Sequence, residues 1–389
     1  MTTTSVRTAE RLAQRFAGRA AAADRDGVFP AEDFADLRAA GLFGLMVPPA
    51  LGGAGAGFAE YAAVAAALAR GSGATALVFN MHASVTGALA GVPDHLAAAL
   101  GAPETFYQAR DRILRAAAGG RWYAVAMSER GAGSRLSQLT TSYLRQPDGY
   151  RIKGSKAFVS GAGHADGYLV AARSDADEQL VSQFLVPADT AGVTVEPTWD
   201  ALGMRATASH DVHFDVTVPA DALLGGVEGL ALVLAQLAPH WMVASYAAVY
   251  VGVARAAVDA AVEHVTERRL AGLPAVRARI GRADAAVAAA ELVVAEAARR
   301  VDEAPGDPET NRWVWRAKLL AGTTAAEVAA SMLEAAGSGA TRRGHPLERL
   351  YRDARCGSLQ PATSDVCADW LGVAAVGGDP ELDGSAPRW

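Results

Sequence analysis

Hydroxyl groups beside a glycine-rich turn are the first residues in this sequence whose types and spacing indicate chemistry. The segment AMSERGAGS, residues 126–134, places Ser128 and Ser134 on either side of Gly131 and Gly133. A turn of this composition exposes backbone N–H groups, which can bind an anionic or carbonyl-rich ligand. The same composition is typical of an ordinary β-turn. By itself the segment leaves a ligand-binding turn and a structural turn about equally open.

A second pair of candidates follows in GSKAFVSGAGHAD, residues 154–166. Phe158 could cover a planar ring, and Ser160 could donate a hydrogen bond to a ring nitrogen. An aromatic residue in a strand is more often part of the core. The later segment LGMRATASHD, residues 202–211, indicates only an ordered loop that precedes a strand.

The elements that must position these residues fall into three regions of different periodicity. Residues 1–120 carry apolar residues three and four apart, which predicts a helical domain. Residues 121–228 contain short runs rich in Val, Tyr and Phe between Gly, Asp and Pro, which predict a β domain. Helical periodicity returns in residues 229–389, where four segments predict an antiparallel bundle. The predicted fold class is therefore α+β and multidomain, without a βαβ unit or a Rossmann fingerprint.

Composition and charge exclude several kinds of partner. Of 389 residues, 51% are hydrophobic and 20% charged, and the formal net charge is −6. A mildly acidic surface argues against binding to nucleic acid, which requires a basic footprint. His210 and His213 lack a third ligand at metal spacing and the two cysteines form no CxxC, so no metal is expected. His82 lies in an apolar helix and is expected to be a core histidine with satisfied nitrogens.

Localisation follows from the absence of two kinds of apolar segment. The N-terminal stretch MTTTSVRTAERLAQRFAG carries charges where a signal peptide has its apolar core. No uninterrupted apolar run reaches the length of a membrane span, because Gln236, Pro239 and His240 interrupt the longest one. A cytoplasmic protein with no membrane partner is therefore expected.

Together the segments resemble the acyl-CoA dehydrogenase superfamily over nearly the whole chain and in the family's order. AMSERGAGS resembles the flavin-contacting segment TEPxxGSD, with Ser128 in place of Thr, Arg130 in place of Pro and Arg135 in place of Asp. GSKAFVSGAGHAD is similar to the second flavin strand, with Phe158 where Trp is common and Ser160 at the usual hydroxyl position. LGMRAT and VPADALLG are similar to the end of the family's β domain.

The resemblance continues into the C-terminal region and implies a cofactor and an assembly. ERRLAGLP looks like the turn whose Arg, here Arg268, reaches the FAD pyrophosphate across a subunit interface. The implied assembly is a homo-oligomer, either a tetramer or a dimer. The implied cofactor is FAD, or reduced FAD or FMN supplied by a reductase. The implied cofactor-binding residues are Met127, Ser128, Gly133, Ser134, Phe158, Ser160, Arg268, Gly337 and Thr363.

The resemblance also implies the fold and reveals a missing group. The fold is that of acyl-CoA dehydrogenases, with an N-terminal α-helical domain, a central β-barrel-like domain and a C-terminal four-helix bundle. The family's dehydrogenases take the substrate's α-proton with a Glu, and an ungapped count places that position on Pro361. A second family location for the base falls near Met242. The Asp and Arg that hold the family's substrate fall near His240 and Val243, so these residues do not favour acyl-CoA binding.

Three hypotheses remain open, and oxygenation is favoured. The first is a biosynthetic monooxygenase that oxygenates nitrogen or carbon of a small metabolite through a flavin C4a-hydroperoxide, since relatives with this fold need no base and carry FxSG, here FVSG. The second is an FAD-dependent acyl-CoA or acyl-carrier-protein dehydrogenase with a relocated base. The third is a catalytically inactive structural homologue. The expected partners are a small-molecule or carrier-tethered substrate and, for an oxygenase, a flavin reductase. The candidates for a catalytic residue are Asp365, His240 and Gln360, with Glu129 as a further possibility for the base.

Overall fold

The computed structural model describes residues 3–382, which begin with a helical region. The longest helix there, α1, is capped by Thr3, whose hydroxyl accepts from Val6 N at 3.3 Å. Helix α4 contains no charged residue and is buried over nearly its whole length, as its composition requires. The helices are α1 Thr4–Asp26, α2 Ala31–Ala39, α3 Phe58–Gly71, α4 Gly73–Ala90, α5 Asp94–Ala99 and α6 Glu104–Ala118.

The middle of the chain forms a curled sheet with the order β1-β4-β2-β3-β7-β6, and β5 pairs with β4. The β1–β4 pair is parallel, whereas β3 is antiparallel to both β2 and β7. Strand β4 is almost continuously buried, which explains its unbroken apolar run YLVAA. The strands are β1 Tyr123–Ala126, β2 Ser142–Gln146, β3 Gly149–Val159, β4 Gly167–Ser174, β5 Val181–Pro187, β6 Val193–Glu196 and β7 His210–Pro219.

The C-terminal part is a helical bundle built on α8, α9 and α10. Arg279 near the start of α9 pairs with Glu334 near the end of α10 at 2.6 Å, so these two helices are antiparallel. The predicted order of helices, strands and helices is confirmed, whereas the domain boundaries at residues 120 and 228 stay predictions. The helices are α7 Leu230–Leu237, α8 Ala244–Glu267, α9 Pro274–Glu303, α10 Pro308–Ala336, α11 Pro346–Arg355 and α12 Ser364–Ala375.

One helical stretch in the described chain, Pro239–Glu267, is long and apolar enough to cross a membrane. Its most apolar window is 78% buried inside the protein. This burial is what the central helix of a packed bundle requires, because α8 contacts α3, α9 and α10 at once.

A buried arginine joins the three regions. The two Arg352 Nη atoms lie 2.9 and 2.6 Å from the carboxylate oxygens of Asp24 at the end of α1. Arg352 Nη1 also donates to Leu202 O at 3.0 Å, and Arg352 Nε donates to Glu348 at 2.7 Å. A planar guanidinium suits this arrangement because it donates in several fixed directions. The loop before β7 is thereby fixed against both helical regions.

Candidate functional site

The turn after β1 is built around a buried ion pair. Glu129 and Gly133 exchange backbone hydrogen bonds of 2.9 and 2.8 Å. The Glu129 carboxylate accepts from Lys156 Nζ at 2.8 Å, from Thr140 N at 2.8 Å and from Thr141 N at 3.0 Å. Both charged side chains are almost fully buried. The carboxylate is therefore fully engaged in holding the turn, which argues against its use as a relocated base.

The pKa values of both groups are lowered, for different reasons. Burial by itself would raise the pKa of Glu129, but the Lys156 ammonium and the Thr140 donors lower it to about 2. Burial lowers the pKa of Lys156 to about 8, because loss of hydration outweighs the attraction of Glu129. Near neutral pH both groups are charged, and the pair persists.

Stability is expected to depend on the Glu129 charge at acid pH. The pKa of Glu129 lies at about 2 in the folded protein against an ordinary 4.5, so its stabilising effect is present above pH 4.5 and is lost as the pH falls towards 2. Lys156 keeps its proton in both states over that range. We expect the difference in free energy of unfolding between wild type and Glu129→Gln to shrink by about 3 kcal/mol across this interval. Urea unfolding at several pH values measures this difference, and a constant value would contradict the assignment.

The predicted flavin residues of this turn lie together. Met127, Ser128 and Ser134 are half-buried, and Gly133 is exposed. Met127 O accepts from Lys156 Nζ at 3.2 Å, and Ser128 O accepts from Ala157 N at 2.8 Å. These bonds join the turn to strand β3 next to Phe158.

A bulge in β3 turns Phe158 outward. The pairing with β7 shifts register between Lys156 and Val159, which leaves an extra residue on β3. Phe158 itself has φ of 58°, a region that a bulky side chain rarely occupies. Its ring is 60% exposed and lies edge-on to Trp199, with 6.1 Å between the ring centroids. The backbone is thus strained at the point where an aromatic face is presented to solvent, as is common at binding sites.

Behind the bulge, Ser160 begins a row of buried hydroxyl groups. Ser160 Oγ lies 2.9 Å from Ser209 Oγ, which lies 2.7 Å from Thr207 Oγ1. Thr207 Oγ1 donates to Met204 O at 2.9 Å, and Trp199 Nε1 donates to the same carbonyl at 3.1 Å. The row connects the end of β3 to the loop before β7.

The loop that carries Thr207 and Ser209 is anchored to helix α11. Met204 N donates to Asp353 Oδ1 at 2.6 Å, and burial raises the pKa of that carboxyl. A Cβ on Gly203 would lie 2.2 Å from Arg352 O, so only glycine allows the loop to approach the helix this closely. The predicted flavin hydroxyl Ser160 is therefore positioned through a chain of contacts from the C-terminal region.

The segment where the family's base is expected is held by a buried lysine. Lys318, in the middle of α10, is fully buried and donates to Gly357 O at 2.9 Å, Gln360 O at 3.1 Å and Ala362 O at 2.8 Å. A Cβ on Gly322, one turn further along α10, would lie 2.7 Å from Gly357 O. The segment thus packs directly on the helix, and burial lowers the pKa of Lys318 to about 8.

Its side chains are also engaged. The buried Tyr250 hydroxyl donates to Gln360 Oε1 at 2.7 Å. Thr363 Oγ1 accepts from Val366 N at 3.3 Å and caps α12, while Asp365 is exposed in the first turn of that helix. The tyrosine therefore contacts Gln360, whereas Asp365 points its charge to solvent.

His240 is buried elsewhere, in the short turn that precedes α8. Its ring packs against Phe58 at 5.3 Å and Trp241 at 5.6 Å, and burial lowers its pKa to about 4. Within residues 3–382, His240 Nδ1 has no hydrogen-bond partner. The histidine is thus neutral near pH 7, and its buried Nδ1 is unpaired.

Arg268 and Gly337 are exposed at the far end of the bundle, where α8 and α10 end. Near Arg268, His264 lies 3.1 Å from His345 at the start of α11, and the other end of α11 carries Asp353, which holds Met204. A ten-residue helix is about 15 Å long. Arg268 therefore does not join Phe158 and Ser160 within one chain.

His82 is a buried residue of helix α4. His82 Nε2 donates to Phe43 O at 2.8 Å and Nδ1 accepts from Tyr123 N at 3.2 Å, which confirms a satisfied core histidine. In the described part of the chain, no three residues among His, Cys, Asp and Glu are grouped as metal ligands would be.

Comparison with protein families gives three consecutive matches along the chain. The N-terminal, middle and C-terminal domains of acyl-CoA dehydrogenase match residues 4–92, 124–217 and 244–363. The chain belongs to the acyl-CoA dehydrogenase family. The resemblance inferred from AMSERGAGS, FVSG and LGMRAT is thereby confirmed, as is the fold class.

Similar proteins in this family include a nitrososynthase and a dehydrogenase. L-evernosamine nitrososynthase of a Micromonospora species is 32% identical over 95% of this chain and 89% of its own length. Benzylmalonyl-CoA dehydrogenase of Aromatoleum aromaticum is 31% identical over 91% of this chain and 92% of its own length. Both relatives extend along nearly the whole chain.

Solved structures of the acyl-CoA dehydrogenase family also align from end to end. KijD3 in complex with dTDP has a TM-score of 0.83 and 29% identity, over 96% of this chain and 97% of its own. FMN-bound TdsC from Paenibacillus sp. A11-2 has a TM-score of 0.83 and 26% identity, over 99% of both chains.

Several site residues escaped the sequence analysis. Ser209 and Thr207 were part of a run of small polar residues that indicated only an ordered loop. Lys318 and Tyr250 lie in apolar helices, where packing was the simplest expectation. One signal was present, because the chain has three lysines and two of them, Lys156 and Lys318, are fully buried. In a chain whose positive charge is mostly arginine, a lysine indicates a site that requires the compact geometry of an ammonium group.

Proposed function

We propose that this protein is a flavin-dependent monooxygenase that oxygenates a small metabolite. The observation that carries the proposal is the segment 356–363. In place of a carboxylate, it presents backbone carbonyls bound to Lys318 and a glutamine bound to Tyr250. Removal of an α-proton needs a base within hydrogen-bond reach. Oxygenation by a reduced flavin and dioxygen needs no such base.

The residues present fit a flavin. Phe158 presents an exposed aromatic face beside the half-buried Trp199. Ser160 offers a buried hydroxyl next to it, and the turn at 128–134 offers polar backbone at the same edge of the sheet. The stacked ring would be held by Phe158, and Thr363 and Met127 would line its surroundings. A bound reduced flavin would supply the electrons with which dioxygen is activated.

The comparisons support this choice of chemistry. L-evernosamine nitrososynthase, KijD3 and the dibenzothiophene monooxygenase TdsC resemble the chain over nearly its full length. The structures of KijD3 and TdsC hold FMN, and one KijD3 structure also holds a dTDP-linked amino sugar. We propose FMN or FAD for this chain, supplied in reduced form by a reductase, and a small polar substrate of biosynthetic origin.

A test compares two reactions of the same preparation. Protein mixed with chemically reduced FMN is exposed to air-saturated buffer, and flavin absorbance is followed over time. An oxygenase is expected to show a species that differs from both reduced and oxidised flavin and persists for seconds. In the second reaction, protein with oxidised FAD is given butyryl-CoA and an electron-accepting dye without oxygen. Sustained dye reduction there would overturn the proposal.

Phe158 offers a direct prediction about cofactor binding. Phe158→Ala removes the aromatic face, so affinity for FMN is expected to fall about tenfold. Thermal stability should change little, because the ring is 60% exposed. Fluorescence titration with FMN measures the affinity, and Leu144→Ala, an exposed apolar residue on β2, is the control. Equal affinity in both variants would place the flavin elsewhere.

We further propose that a homo-oligomer completes the site, because Arg268 and Gly337 lie far from Phe158 in one chain. Arg268→Ala is expected to weaken FAD binding about tenfold while leaving FMN binding nearly unchanged, since only FAD carries the pyrophosphate that a guanidinium would bind. Arg312→Ala, at the opposite end of α10, is the control. An equal loss for both flavins would contradict the assigned role, and titrations of each variant with both flavins decide it.

A dehydrogenase with a relocated base is the second candidate, favoured by the free Nδ1 of His240. With its pKa lowered to about 4, this imidazole would be a weak base, although it is unprotonated near pH 7. If the anaerobic assay with butyryl-CoA reduces the dye, His240→Phe should abolish that activity. Asp365→Asn should not, because Asp365 is exposed.

A further inference from the structure

The row of hydroxyls behind Ser160 has a fixed hydrogen-bond direction. It contains the oxygen contacts Ser160–Ser209, Ser209–Thr207 and Thr207–Met204, at 2.9, 2.7 and 2.9 Å. Each contact needs one proton between its two oxygens, because two lone pairs at such distances repel. Each of the three hydroxyls has one proton to donate, and the Met204 carbonyl has none.

The Met204 carbonyl at the end of the row therefore determines the position of every proton in the row. Thr207 must donate to Met204 O, so its oxygen must accept from Ser209. Ser209 has then used its proton, so its oxygen must accept from Ser160. The exposed fractions of Thr207, Ser209 and Ser160 are 0%, 5% and 8%, which leaves little room for water to reverse this order. Ser160 has no proton left for a ligand and offers only lone pairs.

We propose that Thr207 and Ser209 are positioning residues that make Ser160 an obligate hydrogen-bond acceptor, so that the site selects reduced over oxidised flavin. This inference rests on the proposed function and adds to it that the flavin N5 edge lies at Ser160. Reduced flavin carries a proton on N5 and can donate it to Ser160. Oxidised flavin has only a lone pair there, which faces the Ser160 lone pairs. The role differs from the sequence-based expectation that Ser160 donates to a ring nitrogen.

An obligate hydrogen-bond acceptor at Ser160 also agrees with delivery of reduced flavin by a reductase. A site that binds reduced flavin more tightly than oxidised flavin takes up the reduced form and releases the oxidised form after turnover. A permanently bound, substrate-reduced flavin would instead need a donor at N5 in its resting, oxidised form. The hydroxyl row thus favours transient binding of reduced flavin. Its selectivity is set by Ser209 and Thr207, which lie behind Ser160 in the row.

The decisive variants change Thr207, the second hydroxyl along the row from Ser160, and leave Ser160 intact. Thr207→Val removes the acceptor for the Ser209 proton at nearly constant volume. That proton can then turn to Ser160, whose own proton becomes free for the ligand. Met204 O keeps its donors Trp199 Nε1, at 3.1 Å, and Thr207 N, at 3.2 Å, so the loop is not left with a bare carbonyl. Thr207→Ser keeps the hydroxyl and is the matched control.

The measurement is the ratio of dissociation constants for oxidised and reduced FMN, determined by anaerobic titration. We expect wild type and Thr207→Ser to prefer reduced FMN, and Thr207→Val to lower the ratio about fivefold, the effect of one hydrogen bond between neutral groups. An unchanged ratio in a Thr207→Val protein that still binds FMN would overturn the inference. Absence of FMN binding in wild type would instead refute the proposed function.

Neutron diffraction from flavin-free crystals of the wild type tests the same point without any variant. Deuterium on Ser160 Oγ is expected to point at Ser209 Oγ, and deuterium on Thr207 Oγ1 at Met204 O. Deuterium on Ser209 that points at Ser160 would overturn the inference, even if Thr207→Val fails to fold.

Discussion

Replacement of Lys156 by methionine is expected to lower the free energy of unfolding by about 4 kcal/mol. Lys156 is fully buried, and its ammonium lies 2.8 Å from Glu129 Oε1. Methionine fills a similar volume but leaves the Glu129 carboxylate buried without its counter-ion. Thr140 and Thr141 still donate to it, which limits the loss but does not replace the charge.

The control lies on the same strand. Lys153→Met changes an exposed lysine of β3 and is expected to shift stability by less than about 0.5 kcal/mol. The double variant Glu129→Gln with Lys156→Met should be less destabilised than the sum of the single variants, because no unpaired charge remains. Urea unfolding of wild type and these four variants measures these values, and additive single effects would show that the pair is not coupled.

Replacement of Lys318 by methionine is expected to lower the free energy of unfolding by about 3 kcal/mol. The change leaves the carbonyls of Gly357, Gln360 and Ala362 without the donor that they share. Relief from burying an ammonium offsets part of this loss. The remaining effect should concentrate in the segment 356–363, which should become more susceptible to proteolysis than in wild type.

Two control variants distinguish this role of Lys318 from general packing. Lys153→Met serves again as the exposed lysine control. Tyr250→Phe removes the hydroxyl that donates to Gln360 Oε1 at 2.7 Å and should cost about 1 kcal/mol without affecting the backbone carbonyls. Should Lys318→Met keep both wild-type stability and proteolytic resistance, the lysine does not hold the segment.

The sequence predicts that the family's catalytic base is missing, but only the structure shows which groups occupy its position. An ungapped count already placed Pro361 where a catalytic Glu is expected, and a proline cannot accept a proton. The count could not show what fills the space. Structure shows a glutamine bound to a tyrosine 110 residues away, and carbonyls bound to a lysine about 40 residues away. Such pairings have no periodicity, so no window of sequence predicts them.

The order of helices, strands and helices can be predicted from the sequence, because burial patterns with periods of 3.6 and 2 are local properties of the chain. The sequence also indicates the family, since the motifs around Ser128, Phe158 and Arg268 occur in a fixed order. The pairing of Glu129 with Lys156 and the hydroxyl row that ends at Ser160 become visible only in the folded protein. Only the folded chain brings the Met204 carbonyl, 44 residues from Ser160 in sequence, to the other end of that row. The direction of a hydrogen bond depends on its final acceptor, and that acceptor is identified only once the chain has folded.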